Sequence, residues 1–315
     1  MTEDRVFAIG NDEQYRPVLT VGDQLVRVSG AGGAGLLACY ASRPLGGPHR
    51  DAGPLVIVVH GALRDSDRYF ANAQNAARRS GSDALIVAPQ FLSVADAVPD
   101  GALYWDVEGW KGGYPAVGPV PVSSFTAMDS LLEQLAAASD PGPPFVVIFG
   151  NSAGGQFVNR YAAVGRGPDA LARRDIRVRF IIANPSTYLY FGPDRPHAVR
   201  DSSGVNRWRY GFDDPPGYVG TGPQQSLERY LGRDVTIVLG AQDTDQAALL
   251  LEVSPAAMAQ GANRFERGIY YDQHVRGRAR EAGLTADHKL IRLAGVGHAA
   301  EDVLAAAQTR EIMFG

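Results

Sequence analysis

Apolar runs of four to eight residues recur along the chain from residue 54 onward, and a longer stretch with helical spacing follows most of them. A continuous apolar run of this length is typical of a strand buried on both faces of a sheet. Strands that alternate with helices predict a parallel sheet covered by helices, an α/β architecture. The predicted buried strands are at 54–61, 83–90, 144–151, 178–185, 234–243 and 288–298, and the predicted helices are at 67–80, 123–139, 153–165, 255–282 and 299–311.

The first 50 residues have a different pattern, in which apolar and polar residues alternate in short runs between glycine clusters. Such alternation favours half-buried strands and hairpins at the edge of a sheet. The runs are RVFAIG, QLVRVSG and GLLACYAS, and we expect two antiparallel strands from this segment. Together with the six buried runs, these strands predict a mostly parallel central sheet of about eight strands.

Two long stretches, 91–122 and 186–232, interrupt the alternation of strands and helices. Loops of this length in a folded domain are usually functional, and we expect the insertions to form a cap or lid. Their aromatic side chains suit the walls of a pocket for an apolar or ring-containing ligand, with Trp105, Tyr188 and Trp208 as candidate substrate contacts. The alternative is that these rings pack the insertions onto the core.

The composition is that of an ordinary folded protein, because 45% of the residues are hydrophobic, 20% are charged and the mean hydropathy is −0.13. The formal net charge is −4, which leaves no basic field to attract nucleic acid, so no nucleic-acid partner is expected. Cys39 is the only cysteine, which excludes an intrachain disulfide and a cysteine-based zinc site.

The first residues, MTEDRVFAIGNDEQ, carry charges where a signal peptide has an apolar run, and no run of about 18 apolar residues occurs. We therefore expect a cytoplasmic protein that does not bind a membrane. The expected partners are a substrate and, at most, a second copy of the chain in a homodimer.

The chemistry of the chain centres on the sequence GNSAG at 150–154. This G-x-S-x-G pattern follows the strand-like run PFVVIF and precedes the helix-like run SAGGQFVNRYAAV, which places Ser152 on a tight turn from strand to helix. The glycines permit a close approach of strand and helix, and the hydroxyl points out above the sheet. Ser152 is therefore the candidate nucleophile.

The position of Ser152 at a helix N-terminus also predicts an oxyanion site, because unpaired N–H groups and the helix dipole stabilise the negative charge formed at an attacked ester. The Ala153 amide is one candidate donor. The second is expected from the turn after the first buried strand, where the Ala62 amide is the candidate and the Leu63 amide the alternative. Leu63 is also a candidate substrate contact, and His60 is expected to orient this turn.

A serine hydroxyl becomes a strong nucleophile when an imidazole accepts its proton, and the imidazole needs a carboxylate that fixes its tautomer. Asp243 follows the fifth buried run, three residues past Gly240, and His298 follows the last run. Both lie after the carboxyl ends of strands, at the sheet edge of Ser152, where ligands bind in open α/β sheets. Asp245, two residues further on, is the alternative acid.

Taken together, strand-HG, GNSAG, strand-G-x-x-D and strand-G-x-G-H resemble the motifs of the α/β-hydrolase fold family over roughly residues 20–311. The segments ANPSTYLY, AQGANRFERGIYY and GVGHAA resemble a group of poorly characterised microbial hydrolases in that superfamily. The resemblance implies Ser152 as nucleophile, Asp243 as acid and His298 as base. It also implies a single α/β-hydrolase domain over 1–315, with a cap or lid at 186–232 and no cofactor.

Two other features are interpreted as structural. The glycine-rich run at 30–35 matches G-x-G-x-x-G, but a strand-like run follows it, so a hairpin is favoured over a dinucleotide site. Four histidines have no metal-ligand spacing, and no metal site is predicted. They are His49, His197, His274 and His288.

Four further polar residues have two interpretations each. Asn184 and Ser186 either contact the substrate or cap the turn that contains Pro185. Arg264 and Arg267 are expected to pair with carboxylates such as those of Glu266 or Glu281, and recognition of an acidic substrate is the alternative.

The resulting hypothesis is a serine hydrolase that cleaves a carboxylic ester or lactone, from a small-molecule or oligomeric substrate, through an acyl-enzyme. The same constellation also serves an amidase or a polyester or polyamide depolymerase. The alternative from another class is a non-catalytic ligand-binding protein on a hydrolase scaffold.

Overall fold

The computed structural model describes residues 16–30, 33–47, 53–139 and 142–315; the expected strand in RVFAIG and His49 lie outside the described residues. The strands are β1 (Gln24–Gly30), β2 (Gly33–Ala41), β3 (Leu55–Val59), β4 (Leu85–Gln90), β5 (Leu92–Ser93), β6 (Tyr104–Trp105), β7 (Phe145–Asn151), β8 (Arg177–Ala183), β9 (Asp234–Gly240) and β10 (Lys289–Leu293). The helices are α1 (Ser66–Arg79), α2 (Ser124–Ala138), α3 (Ala153–Val164), α4 (Gly167–Ala172), α5 (Pro223–Leu231), α6 (Pro255–Met258), α7 (Arg264–Glu281), α8 (Ala300–Ala305) and α9 (Ala307–Phe314).

Eight of these strands form one sheet in the order β1-β2-β4-β3-β7-β8-β9-β10. The pairs β1–β2 and β2–β4 are antiparallel, and the other neighbouring pairs are parallel. The predicted mostly parallel sheet of about eight strands is therefore confirmed. Because β3, β7, β8, β9 and β10 run in the same direction, the turns that follow them meet at one edge of the sheet.

The central strands are buried because helices cover both faces of the sheet. In β3, Val56 and Val58 pack on the face covered by α1, α8 and α9, whereas Ile57 and Val59 pack on the face covered by α2, α3 and α7. A fully buried Val or Ile side chain contributes about 1.5–3 kcal/mol to folding. The continuous apolar runs of the sequence therefore supply two cores, one on each face.

The glycine-rich run near the N-terminus forms the predicted hairpin. β1 and β2 pair in antiparallel register from Gln24 opposite Cys39 to Gly30 opposite Gly33, and the two residues between the strands lie outside the described ranges. A strand follows the glycines, so they do not begin a helix whose N-terminus could hold a pyrophosphate.

The helix predicted at 255–282 is wrong in one respect, because it is divided into α6 and α7. Gly261 lies between the two helices with a φ of 146°, a conformation that L side chains rarely adopt. Asn263 then begins α7 as its N-cap, and its side chain accepts a hydrogen bond from the Glu266 amide at 2.9 Å.

One further helix prediction needs correction, and one helix lies in an insertion where none was predicted. The helix expected at 299–311 is divided into α8 and α9 at Ala306, whose backbone is extended. The insertion 186–232 contains α5, with Pro223 at its first position, where the missing N–H has no helical acceptor in any case. None of the helices in the described parts of the chain is long and apolar enough to cross a membrane.

The two insertions, 91–122 and 186–232, are tied to each other and to α3. Trp208 donates from its indole N–H to the Gly112 carbonyl oxygen at 2.8 Å. The fully buried Arg160 of α3 donates to one carbonyl oxygen of each insertion, at 3.1 and 3.2 Å. Because a buried guanidinium is costly unless its N–H groups are paired, these contacts hold the insertions in place.

Candidate active site

Ser152 lies on a strained turn between β7 and α3. Its φ of 59° and ψ of −121° are rare for a residue with a side chain, and its amide donates to the Ala183 carbonyl oxygen at 3.0 Å. A Cβ added at Gly150 would overlap the Gly154 carbonyl oxygen, and one added at Gly154 would overlap the Val59 carbonyl oxygen. Both glycines of GNSAG are therefore needed for the packing of this turn. Backbone strain of this kind is concentrated at functional sites.

His298 and Asp243 contact each other directly, with 2.7 Å between His298 Nδ1 and Asp243 Oδ2. Asp243 is buried, whereas one third (33%) of the His298 side chain is exposed. A carboxylate at Nδ1 holds the imidazole proton there and leaves Nε2 free to accept another. Asp245, the alternative acid, is exposed and accepts a hydrogen bond from the Ala247 amide at 2.9 Å. The carboxylate against the imidazole is therefore that of Asp243.

Hydrogen bonds join the turn of Ser152 to the turn of His298. Asn151 Nδ2 donates to the His298 carbonyl oxygen at 3.1 Å. The turn that carries Asp243 also contacts the His298 turn, because the Gln242 amide donates to the Val296 carbonyl oxygen at 2.9 Å. The structure therefore brings together the three turns that carry the predicted nucleophile, acid and base.

The turn after β3 presents the amides expected at an oxyanion site. The Arg64 amide donates to the Gly61 carbonyl oxygen at 3.2 Å, which closes a turn around Ala62 and Leu63. Neither of the two amides inside this turn donates a hydrogen bond to a described residue. Ala153 is the first residue of α3, so its amide has no acceptor within the helix. These amides are the donors that could face an oxyanion.

A buried ion pair that sequence reasoning missed holds this turn. Arg64 Nε and Nη2 lie 2.7 and 2.9 Å from the two carboxylate oxygens of Asp96. Burial raises the pKa of Asp96, but hydrogen bonds from Arg64 and from the amides of Ser93 and Val18 lower it, and the net shift is downward. Arg64 and Asp96 are 32 positions apart, so no local pattern indicates the pair.

His60 orients the same turn from the other side. Its Nδ1 donates to the Gly61 carbonyl oxygen at 2.8 Å, and its Nε2 accepts a hydrogen bond from the Phe91 amide at 3.0 Å. Burial lowers the pKa of His60 to about 4, so the ring is neutral at pH 7. A neutral ring that is fully bonded in this way has the structural role that we expect for His60.

Arg264 faces the second oxygen of the candidate acid. Its Nη1 lies 3.6 Å from Asp243 Oδ1, and its Nη2 donates to the Leu249 carbonyl oxygen at 3.0 Å. Burial lowers the pKa of Arg264, and Asp243 opposes this shift only in part. Arg264 therefore pairs with a carboxylate as expected, but the carboxylate is that of Asp243 and not of Glu266 or Glu281, because the first turn of α7 directs the side chain toward the sheet edge.

Arg267, by contrast, donates to backbone carbonyl oxygens and not to the carboxylates of Glu266 or Glu281. Its Nε donates to the Gly261 carbonyl oxygen at 2.9 Å and its Nη1 to the Ser186 carbonyl oxygen at 2.6 Å. Burial lowers the pKa of Arg267 to about 10. The Ser186 hydroxyl accepts a hydrogen bond from the Glu252 amide at 2.9 Å, so this residue joins the segment after Asp243 to α7.

Three of the predicted substrate contacts lie in the core. Trp105, Tyr188 and Trp208 expose 2% or less of their surface. The Trp105 indole donates to the Val122 carbonyl oxygen at 3.2 Å, and the Tyr188 ring stacks on a second tyrosine at 4.4 Å. These contacts bury the rings and pair the Trp105 indole N–H, so the alternative interpretation, core packing, describes these three residues. Leu63, the fourth predicted substrate contact, is partly exposed.

The other described histidines serve the fold. His288 Nε2 lies 2.8 Å from Asp272 Oδ1, and His274 Nε2 accepts a hydrogen bond from the Phe191 amide at 3.0 Å. Burial lowers the pKa of His274 to about 3. His197 packs edge-on against a tyrosine ring. Across the described ranges, no group of three or more His, Cys, Asp or Glu side chains is arranged to hold a metal ion.

No protein-family model matches the chain, and no curated protein sequence is similar enough to match it. Solved structures do resemble it. Poly(aspartic acid) hydrolase-1 from Sphingomonas sp. KT-1 has a TM-score of 0.65 and 22% sequence identity, and the similarity covers 95% of this chain and 100% of that chain. LpqC, the poly(3-hydroxybutyrate) depolymerase from Bordetella parapertussis, has a TM-score of 0.62 and 27% identity, with 86% and 81% covered. These similarities confirm the predicted α/β-hydrolase fold.

Proposed function

We propose that this protein, which has the α/β-hydrolase fold, is a serine hydrolase that cleaves a carboxylic ester or lactone through an acyl-enzyme. The observation that carries the proposal is the 2.7 Å contact between His298 Nδ1 and Asp243 Oδ2 at the sheet edge of the strained Ser152 turn. An imidazole held in this tautomer is the base that a serine hydroxyl requires.

In the first half of the proposed reaction, Ser152 Oγ forms a bond to the substrate carbonyl carbon while its proton moves to His298 Nε2. The carbonyl electron pair moves onto the oxygen, and the amides of Ala153 and Ala62 stabilise this oxyanion, with Leu63 as the alternative donor. Each such donor lowers the barrier by roughly 3 kcal/mol. The bond to the leaving alcohol then breaks, and the alcohol takes the proton from His298.

In the second half, a water molecule gives a proton to His298 Nε2 and attacks the acyl carbon. The proton returns to Ser152 Oγ as the acyl bond breaks, which releases the carboxylic acid. For a lactone, the alcohol and acid groups belong to one hydroxy-acid product. Asp243 stabilises the imidazolium in both halves.

A polyester depolymerase is the second candidate, favoured by apolar side chains that are exposed on the segment after Asp243. Leu249, Val253 and Met258 expose 51%, 55% and 36% of their surface. The Leu249 carbonyl oxygen is bonded to Arg264, which faces Asp243, so this segment borders the candidate site. An exposed apolar border suits an oligomeric ester, and the 27% identical LpqC is a poly(3-hydroxybutyrate) depolymerase.

Labelling with a fluorophosphonate tests the catalytic proposal against a ligand-binding protein with an unused triad. We expect the reagent to modify the wild-type protein at Ser152, as located by peptide mass spectrometry, and not to modify Ser152→Ala. Ser124→Ala is the matched control, since this buried hydroxyl donates to the Trp110 carbonyl oxygen at 2.7 Å and should leave labelling unchanged. A folded wild-type protein that is not labelled at Ser152 would overturn the proposal.

A hydrolysis screen then distinguishes the bonds. The substrates are p-nitrophenyl esters of graded acyl length, a lactone, an anilide, 3-hydroxybutyrate oligomers and poly(aspartic acid). Turnover of the esters or the lactone without the anilide supports the ester proposal, and faster turnover of the oligomers supports the depolymerase. Turnover of the anilide or of poly(aspartic acid) alone would replace the ester with an amide as the substrate.

A further inference from the structure

Asn184 occupies the first position after β8, at the same sheet edge as the candidate site. The residue is fully buried, and its φ of 43° lies in the left-handed region. Asn tolerates this region better than most residues with a side chain. Its amide donates to the Val238 carbonyl oxygen at 3.1 Å, which extends the pairing of β8 with β9 by one residue.

The side chain of Asn184 contacts all three turns that carry the triad. Its Oδ1 accepts a hydrogen bond from the Gly240 amide at 2.8 Å, at the start of the turn to the acid. Its Nδ2 donates to the Gly297 carbonyl oxygen at 3.4 Å, directly before the base. The same Nδ2 donates to Asn151 Oδ1 at 3.2 Å, directly before the nucleophile.

A second amide completes the connection. Asn151 receives one hydrogen bond from Asn184 and donates from its own Nδ2 to the His298 carbonyl oxygen at 3.1 Å. The two side chains therefore form one buried network between the nucleophile turn and the base turn. Asn184 needs both a donor and an acceptor for this role, because Gly240 presents an N–H and its other two partners present oxygens.

We propose that Asn184 is the positioning residue that holds Ser152, Asp243 and His298 in register with one another. This inference rests on the proposed serine-hydrolase function. Because Asn184 is fully buried, it acts through the three turns and does not touch the substrate. The two roles that the sequence indicates for it, a substrate contact or a simple turn cap, are therefore replaced by a connecting role.

The expected effect follows from the geometry of proton transfer. A displacement of about 1 Å between reacting groups can lower the rate about 100-fold. Loss of the Asn184 side chain frees the Gly240 and Gly297 turns from a common anchor. We expect kcat to fall by about 10-fold to 100-fold, with KM changed by less than about twofold, since substrate contacts are preserved.

The test compares Asn184→Gly with Asn159→Ala, assayed with a p-nitrophenyl ester well below the unfolding temperature of each variant. Glycine retains the left-handed backbone and removes only the side chain. Asn159 is a matched control, since it is also fully buried and its side chain also bridges distant segments, to Tyr271 at 3.0 Å and Leu189 at 2.8 Å. We expect both variants to lose stability and only Asn184→Gly to lose kcat.

A second readout does not require turnover. The proton between His298 Nδ1 and Asp243 should give a downfield proton NMR resonance in the wild type and in Asn159→Ala, and this resonance should shift or disappear in Asn184→Gly. Unchanged kcat and an unchanged resonance in Asn184→Gly would overturn the positioning role. If the wild type is not labelled by fluorophosphonate, the proposed function fails, and the resonance still decides whether Asn184 positions the pair.

Asn184→Asp is the second variant in case Asn184→Gly does not fold. Its carboxylate can still accept the hydrogen bond from the Gly240 amide. It has no N–H to donate, so a carboxylate oxygen would face the Gly297 carbonyl oxygen and Asn151 Oδ1. The same loss of kcat and the same change in the resonance are expected. Wild-type values of both would contradict the proposal.

Discussion

Replacement of Asp243 by asparagine tests the assignment of the acid with almost no change in volume. In the native site, Oδ2 faces His298 Nδ1 and Oδ1 faces the Arg264 guanidinium. A guanidinium only donates hydrogen bonds, so the oxygen of the introduced amide should turn to Arg264 and its NH2 group to His298 Nδ1. That ring nitrogen must then accept a hydrogen bond, which places the imidazole proton on Nε2, where it prevents transfer from Ser152.

The magnitude follows from the lost tautomer. In the serine-protease triad, the corresponding substitution lowers kcat about 10⁴-fold, which is about 5 kcal/mol of barrier. We expect a loss of this order for Asp243→Asn with little change in KM, because the side chain is buried away from substrate. Arg264 also loses its opposing charge, so the free energy of unfolding should fall by about 1–3 kcal/mol.

The assay measures kcat and KM with a p-nitrophenyl ester, alongside circular dichroism to verify folding. Asp245→Asn is the control, since the Asp245 side chain is exposed and bonds only to the Ala247 amide among the described hydrogen bonds. It should retain full activity. A kcat of Asp243→Asn within tenfold of the wild-type value, or an equal loss of kcat in Asp245→Asn, would show that Asp243 is not the acid.

Three further substitutions test packing and electrostatics: Gly154→Ala, its control Gly277→Ala, and Asp65→Asn. Gly154→Ala adds a Cβ that overlaps the Val59 backbone and should lower the free energy of unfolding by about 3 kcal/mol, measured by chemical denaturation. In Gly277→Ala the added Cβ meets open space on α7, so the free energy of unfolding should rise by about 0.5–1 kcal/mol. A tolerated Gly154→Ala would contradict the close approach of α3 and β3. Burial raises the pKa of Asp65 to about 6, so ionisation opposes folding as the pH rises above the ordinary carboxyl range. Asp65→Asn should therefore raise Tm at pH 8 but not at pH 4, and an equal gain at both values would contradict this explanation.

The buried strands and the turn that carries Ser152 were predictable because each depends on residues that are close together along the chain. The buried runs are strands because a continuous apolar segment can be buried only between two layers of helices. The turn of Ser152 was predictable from GNSAG, because glycines on both sides of the serine are needed where strand and helix meet.

The division of the helix at 255–282 had a local signal as well. Gly261 precedes Asn263, and Glu266 follows three residues later, which is an N-cap pattern within a segment of helical spacing. In the structure Asn263 accepts from the Glu266 amide, and Glu266 accepts from the Ala262 amide at 2.8 Å. The hydrophobic period alone favoured one long helix, and the capping residues decided where it begins.

The sheet, the strand-to-helix turn of Ser152 and the positions of Asp243 and His298 after strand ends follow from the amino-acid order, because hydrophobic period and turn chemistry act over a few residues. Contacts made in the folded chain place Asp243 and not Asp245 against the imidazole, direct Arg264 toward this carboxylate, and let Asn184 join the three turns. Folding also buries Trp105, Tyr188 and Trp208 of the insertions in the core. These outcomes depend on contacts between residues that are far apart along the chain, which no local pattern encodes.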